Sequence, residues 1–331
     1  MAYRKFAVIG AGAWGTALAQ TLRLAGREVI IWSHRPELAA EIATRQTNAG
    51  YLPGVDLDPG LRATSSFAQT TGCDVVLMVT PAQHLREIAR KLAPFLVPGT
   101  PVVICSKGLE QATGKLMSEV LAETMPGALI AVLSGPSFAA DVVRGLPCAV
   151  TIACADEAVG AQLANSLGHL KFRPYWSPDL LGVQLGGAVK NVLAIAAGIV
   201  VGKSLGASAH AGIVTRGFAE LVRLAAAMGA QPETMMGLSG LGDLVLTCGS
   251  PQSRNMSLGV ALGQGQAIAD VLATRRSVTE GIYTARAVTE VAGRRGVEMP
   301  ICAAVDAIVS GRLSVDAAIE GLLSRPFRAE R

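Results

Sequence analysis

The stretch KFAVIGAGAWGTALAQTLRLA, Lys5–Ala25, decides the reading of this chain. Four apolar residues, Phe6–Ile9, form a short strand pattern, and the Gly-rich turn after them opens a helical pattern over Trp14–Leu24 that Gly26 ends. Gly10, Gly12 and Gly15 stand at G-x-G-x-x-G spacing between strand and helix. In that context Gly10 makes the tight turn, Gly12 admits a pyrophosphate close to the backbone, and Gly15 lets the helix pack on the strand. The helix start offers unpaired N–H groups and the positive end of its dipole to phosphates. The stretch therefore predicts a dinucleotide-binding strand–turn–helix.

After this stretch, Glu28–Trp32 reads as the next strand, followed by Cys73–Val79, Pro101–Cys105, Ala128–Leu133 and Cys148–Ala153. Continuous apolar strands separated by helices imply a buried, mostly parallel sheet, with ligands outside the carboxyl ends of its strands. The pattern changes near Ser177, after which Ala- and Leu-rich helical segments run to the end. The expected fold is thus an α/β Rossmann-type N-terminal domain, residues 1–178, plus an all-α C-terminal domain, residues 179–331.

Composition agrees with a globular two-domain protein: 331 residues, 50% hydrophobic, 16% charged. The formal net charge of +4 is small and no Lys/Arg block forms a stripe, so no nucleic-acid partner is expected. Cys73, Cys105, Cys148, Cys154, Cys248 and Cys302 make no C-x-x-C pair and do not cluster with the four histidines, so neither a metal site nor a disulfide framework is expected. The N-terminus enters a strand at once, which gives the expectation of no signal peptide and a reducing, cytoplasmic setting. Leu180–Val201 is apolar enough for a membrane span. Lys190 and Asn191 in its middle favour a buried helix with one polar face and no stable membrane insertion.

The end of the second strand bears on the cofactor. An acidic residue there holds a ribose 2′-hydroxyl, whereas an Arg accommodates a 2′-phosphate. Here the sequence is IIWSHRPE, with Ser33, His34 and Arg35. The expectation is that NADPH is accepted and preferred over NADH; a solvated Arg35 at a helix start is the alternative. Lys107 in SKGLE and the loop Gly135–Pro136–Ser137 each follow a strand. Gly186, Gly187 and Ala194 flank Lys190 at helical spacing. A buried lysine is costly without a partner or a task. Asp243 lies in a Gly-rich turn, as helix cap or site residue. Ser253, Arg254 and Asn255 at a helix start offer a phosphate cradle or, again, a cap.

Together GAGAWGTALA, SKGLE, GPSFA, GGAVKNVLAIAAGI, GLGDLVLTC with SPQSRN, and VTEGIYTA resemble the bacterial NAD(P)-dependent sn-glycerol-3-phosphate dehydrogenases, in the family's order and across nearly the whole chain. The resemblance implies reduction of dihydroxyacetone phosphate to sn-glycerol 3-phosphate, the backbone of phospholipids, by a homodimer. It implies Lys190 as catalytic acid/base, oriented by Asp243, with Lys107, Gly135, Ser137, Ser253, Arg254 and Asn255 also at the substrate. It places Ala13, Trp14, His34, Arg35, Tyr51, Lys107, Ala139, Arg254, Val278 and Glu280 at the cofactor. Ala13 stands where the family has Ser, and Ser208 and His210 where it has Asn and a basic residue. Two rivals remain: a β-hydroxyacid or 6-phosphogluconate type of dehydrogenase, and a cofactor-binding regulator without turnover.

Overall fold

The structure is a computed structural model describing residues 2–274, 279–327 and 329. Its first part is an eight-stranded sheet of β1 (Lys5–Ile9), β2 (Glu28–Trp32), β3 (Arg62–Thr64), β4 (Val75–Met78), β5 (Pro101–Ile104), β6 (Leu129–Ser134), β7 (Cys148–Cys154) and β8 (Phe172–Ser177). The order is β3-β2-β1-β4-β5-β6-β7-β8, and only β6–β7 pairs antiparallel. The first six strands thus follow the 3-2-1-4-5-6 dinucleotide order, with its switch point between β1 and β4. Ile9 is in register with both Trp32 and Met78, so β1, β2 and β4 end at one level and their following loops share one crevice.

Helices α1 (Ala13–Leu24), α2 (Pro36–Arg45), α3 (Leu85–Leu92), α4 (Met117–Thr124), α5 (Ala139–Val143) and α6 (Glu157–Leu167) accompany the strands. The period-2 alternation of the strands divides their burial between two cores. Phe6, Val8, Val29 and Ile31 pack on one face, and Ala7, Ile9, Ile30 and Trp32 on the other. β3 and β8 escape the sequence reading. β3 is three residues long, and β8 is a half-buried edge strand whose Pro174 is tolerated because one side has no ladder to feed.

Beyond Ser177 the described residues hold no strand. They form α7 (Leu180–Gly202), α8 (Ala207–Met228), α9 (Pro232–Met236), α10 (Asp243–Gly249), α11 (Arg254–Gly263), α12 (Ile268–Ala273), α13 (Glu280–Arg294), α14 (Pro300–Val309) and α15 (Val315–Leu323). Asp179 caps α7 by accepting the Gly182 amide, and its other carboxylate oxygen accepts the Gln231 amide, so the entry into the helical part is fixed. α7 is long and apolar enough to cross a membrane, yet 89% of its apolar window is buried inside the protein by the helices around it. α11 runs alongside it with glycine against glycine. A Cβ on Gly198 would stand 2.1 Å from the Met256 carbonyl oxygen, and one on Gly259 2.1 Å from that of Ile195. This contact sets the start of α11 against the middle of α7. Leu109 and Leu116, from the segment after β5, join the helical core and tie the sheet to it.

Candidate active site

The glycine loop has the local geometry its spacing implies. Gly10 adopts φ +122°, and a Cβ there would lie 2.6 Å from the Val79 carbonyl oxygen of the adjacent strand end. A Cβ on Gly15 would stand 1.8 Å from the Gly10 carbonyl oxygen, so helix and turn can close only without one. At Gly12 an added Cβ would meet nothing within 4 Å. Gly12 starts α1 with no side-chain cap and no acidic residue in the first turn. The first amides of α1 therefore keep their donors for a ligand. Ala13, Trp14, Tyr51 and Ala139 are half-buried at the rim of the core beneath. Trp14 Nε1, Arg35 Nε and Glu280 Oε2 are buried without a hydrogen-bond partner among the described residues. Buried polar groups rarely go unpaired, so these donors and acceptors fit a polar dinucleotide.

After β2, Ser33 is buried and its Oγ accepts the Arg35 amide at 3.1 Å, while His34 is exposed. The Arg35 guanidinium lies over the Tyr51 ring, 5.3 Å from its centroid. Arg35 is thus held at the strand end rather than loose in solvent, and the four residues directly after β2, Ser33–Pro36, include no Asp or Glu.

Across the switch point lies a compact charged cluster. Lys190, buried on α7, donates from Nζ to Asp243 Oδ1 at 2.5 Å and to Thr247 Oγ1 at 2.8 Å. Lys107 donates from Nζ to the other oxygen, Asp243 Oδ2, at 2.7 Å and to the Gly135 carbonyl at 3.1 Å. One carboxylate therefore aligns two ammonium groups. Burial pulls the Lys190 ammonium down to about 8, Asp243 partly opposing this and Lys107 adding to it. Gly135 takes φ +142° where a Cβ would meet the Val150 backbone at 2.9 Å, and its carbonyl also accepts from Ser137 Oγ at 3.0 Å. The Lys107 loop is braced from beneath. Arg86 makes a two-pronged ion pair with Glu110, both bonds 2.8 Å, and Ser106 Oγ donates to the Thr80 carbonyl at 2.5 Å.

The substrate residues expected on α11 have mixed tasks. Ser253 Oγ caps the helix by accepting the Met256 amide. Asn255 is buried; its Oδ1 accepts the Gly281 amide at 3.0 Å and its Nδ2 donates to Asn191 Oδ1 at 2.9 Å. Its amide joins α7, α11 and α13, which leaves one N–H for a ligand. Arg254 opens α11, with Glu280 and Tyr51 as its electrostatic neighbours. Glu280 Oε1 accepts the Ala82 amide at 3.1 Å, and burial raises this carboxyl. Val278 lies outside the described residues. His210 Nε2 is 3.0 Å from the Cys248 carbonyl oxygen, so the departure at this position still contacts the end of α10.

Sequence reading passed over Thr247, Asn48 and the Arg86–Glu110 brace. Thr247 carries a usable signal, since it sits four residues after Asp243 on one face of α10. Lys107, Lys190 and Asp243 come together within hydrogen-bonding range. Arg35 and Tyr51 form a separate group at the β2 end, and Tyr51 is also an electrostatic neighbour of Arg254.

Family models described as NAD-dependent glycerol-3-phosphate dehydrogenase N-terminus and C-terminus match residues 5–160 and 179–320. A glycerol-3-phosphate dehydrogenase (NAD(P)+) of Parvibaculum lavamentivorans is 58% identical over 330 residues, covering 100% of this chain and 99% of that protein. Another, from Caulobacter vibrioides, is 57% identical over 330 residues and covers 100% of both chains. The crystal structure of glycerol-3-phosphate dehydrogenase from Coxiella burnetii superposes with a TM-score of 0.93 at 36% identity, over 98% of this chain and 99% of that one. The chain belongs to the NAD-dependent glycerol-3-phosphate dehydrogenase family.

Proposed function

We propose that this protein catalyses the reversible NAD(P)H-dependent reduction of dihydroxyacetone phosphate to sn-glycerol 3-phosphate. The observation that carries the reading is the buried Lys190 ammonium, fixed by Asp243 and Thr247 beside Lys107, at the carboxyl ends of a sheet whose first loop is built for a dinucleotide. When bound, the nicotinamide supplies hydride to the ketone carbon. Lys190 stabilises the developing charge on the carbonyl oxygen and delivers the proton. Asp243 holds the ammonium in place, and Lys107 adds a second positive charge on the same side. Arg254, Ser253 and the remaining Asn255 N–H, at the start of α11, hold the substrate phosphate together with Lys107 and the Gly135–Ser137 loop. Binding energy from that remote group aligns the reacting carbon.

On this reading Gly10, Gly12, Ala13, Trp14, Gly15 and Ala139 serve the pyrophosphate half of the cofactor, and Lys107, Arg254, Val278 and Glu280 the nicotinamide half. His34, Arg35 and Tyr51 take the ribose end. Absence of an acid after β2 and the seating of Arg35 on Tyr51 support preference for NADPH. Residues 1–178 act as the cofactor domain and residues 179–331 as the substrate domain. A homodimer in the cytoplasm, without stable membrane insertion and feeding glycerophospholipid synthesis, is the setting proposed with it.

Initial rates of NADPH and NADH oxidation with dihydroxyacetone phosphate, beside unphosphorylated dihydroxyacetone, test the reading. Fast turnover that depends on the phosphate is expected. A folded protein that binds cofactor but turns over neither ketone would overturn it.

A further inference from the structure

Asn48 lies between α2 and Tyr51, and its side chain is deeply buried, 1% exposed. Its Nδ2 donates to the Ala11 carbonyl oxygen at 3.0 Å and to Thr16 Oγ1 at 2.8 Å. The Ala11 carbonyl can only accept, so the amide nitrogen must face the loop. The backbone carbonyl of Asn48 accepts the amides of Tyr51 at 3.1 Å and Leu52 at 2.8 Å. One residue therefore grips the middle of the glycine loop, the first turn of α1, and the segment that carries Tyr51.

The grip has a directional consequence. In a trans peptide the C=O and the following N–H point opposite ways. Holding the Ala11 carbonyl toward the interior turns the Gly12 N–H outward, to the side where the start of α1 is open. The same residue fixes where Tyr51 stands, and Tyr51 supports Arg35. The Asn48 Oδ1 atom is buried without a partner among the described residues, so the side-chain hydrogen bonds of Asn48 all run from Nδ2 to the glycine loop and α1.

We propose that Asn48 is a positioning residue for the dinucleotide site. It sets the Ala11–Gly12 peptide for the pyrophosphate and keeps that loop in register with the Arg35–Tyr51 pair at the ribose end. This rests on the cofactor reading given above.

The test is titration of the full chain with NADPH and with NADH, beside kcat at saturating cofactor and the melting temperature. Asn48→Ala should raise the Kd for both nucleotides about tenfold, the loss expected from two hydrogen bonds, with kcat at saturation kept. Asn48→Asp keeps the size but turns an oxygen toward the Ala11 carbonyl, and should bind at least as weakly. A residue with a merely structural role would lower the melting temperature and leave Kd unchanged in the folded variants, and that result would overturn the inference. Should neither variant fold, Thr16→Val removes one of the two anchoring bonds. A rise in Kd of about two- to tenfold is then expected, and an unchanged Kd overturns the proposal. No binding by the unaltered protein would overturn the cofactor reading and this inference together. Wild-type affinity in a folded Asn48 variant would overturn the inference alone.

Discussion

Lys190 shows how a single side chain acquires its chemistry from its surroundings. A lysine in an apolar helix would be a defect without Asp243 and Thr247, and burial leaves its ammonium easier to deprotonate than in water. Lys190→Ala should cut turnover by about 10²–10⁴-fold while the chain still folds, since Lys107 continues to pair Asp243; stopped-flow rates and circular dichroism check both. The pH dependence follows from the sign. With Lys190 as the proposed acid, reduction of the ketone needs the protonated ammonium, so its rate should fall as pH rises through about 8. Oxidation of the alcohol needs the neutral amine, so its rate should rise through the same value. Profiles of the two directions that moved together would contradict the assignment. At the β2 end, Arg35→Asp should raise the KM for NADPH roughly 10–100-fold, the worth of a hydrogen bond to a charged group, and that for NADH much less. Equal losses would show that Arg35 does not meet a 2′-phosphate.

Among the elements, α7 and α11 carry the most consequence. Gly198 and Gly202 on α7 lie against Gly259 and Gly263 on α11, close enough that backbone meets backbone. The close approach lets Asn255 reach Asn191, with Arg254 the residue before it at the start of α11. A Cβ on Gly259 would push into the Ile195 carbonyl oxygen, and relief must come by parting the two helices. Gly259→Ala should therefore destabilise the fold by about 1–3 kcal/mol, and raise the KM for the phosphorylated ketone as Arg254 shifts. Calorimetry and steady-state kinetics on the same sample would check this. A fall in stability with an unchanged KM would mean that the helix contact does not set the site.

The whole molecule closes its site only by bringing both parts together. Lys107 comes from the sheet, Lys190 and Asp243 from the helices, and Glu280 of α13 accepts the Ala82 amide from beyond β4. NADPH at a hundred times its Kd should stabilise the folded chain by about 2.7 kcal/mol. Because the residues proposed to hold it span both parts, the helical part should share the rise in melting temperature; calorimetric scans with and without NADPH check this. A shift confined to one of two separate transitions would place the cofactor on the sheet alone.

Much of this was legible in one dimension. Gly10, Gly12 and Gly15 could be read because turn, strand and helix rules are local, and the apolar runs of the inner strands announce burial on both faces. Lys190 was legible because a charge in an apolar helix violates a local rule. Tertiary structure alone decided the rest. β8 has an edge strand's mixed pattern, which no period reveals. Asn255 spends most of its amide on Asn191 and Gly281, contacts made across 64 and 26 residues of chain. The sharing of Asp243 between two lysines joins positions 136 and 53 residues apart. Local conformational preference is written in neighbouring residues, whereas partners brought together by packing are known only once the packing exists.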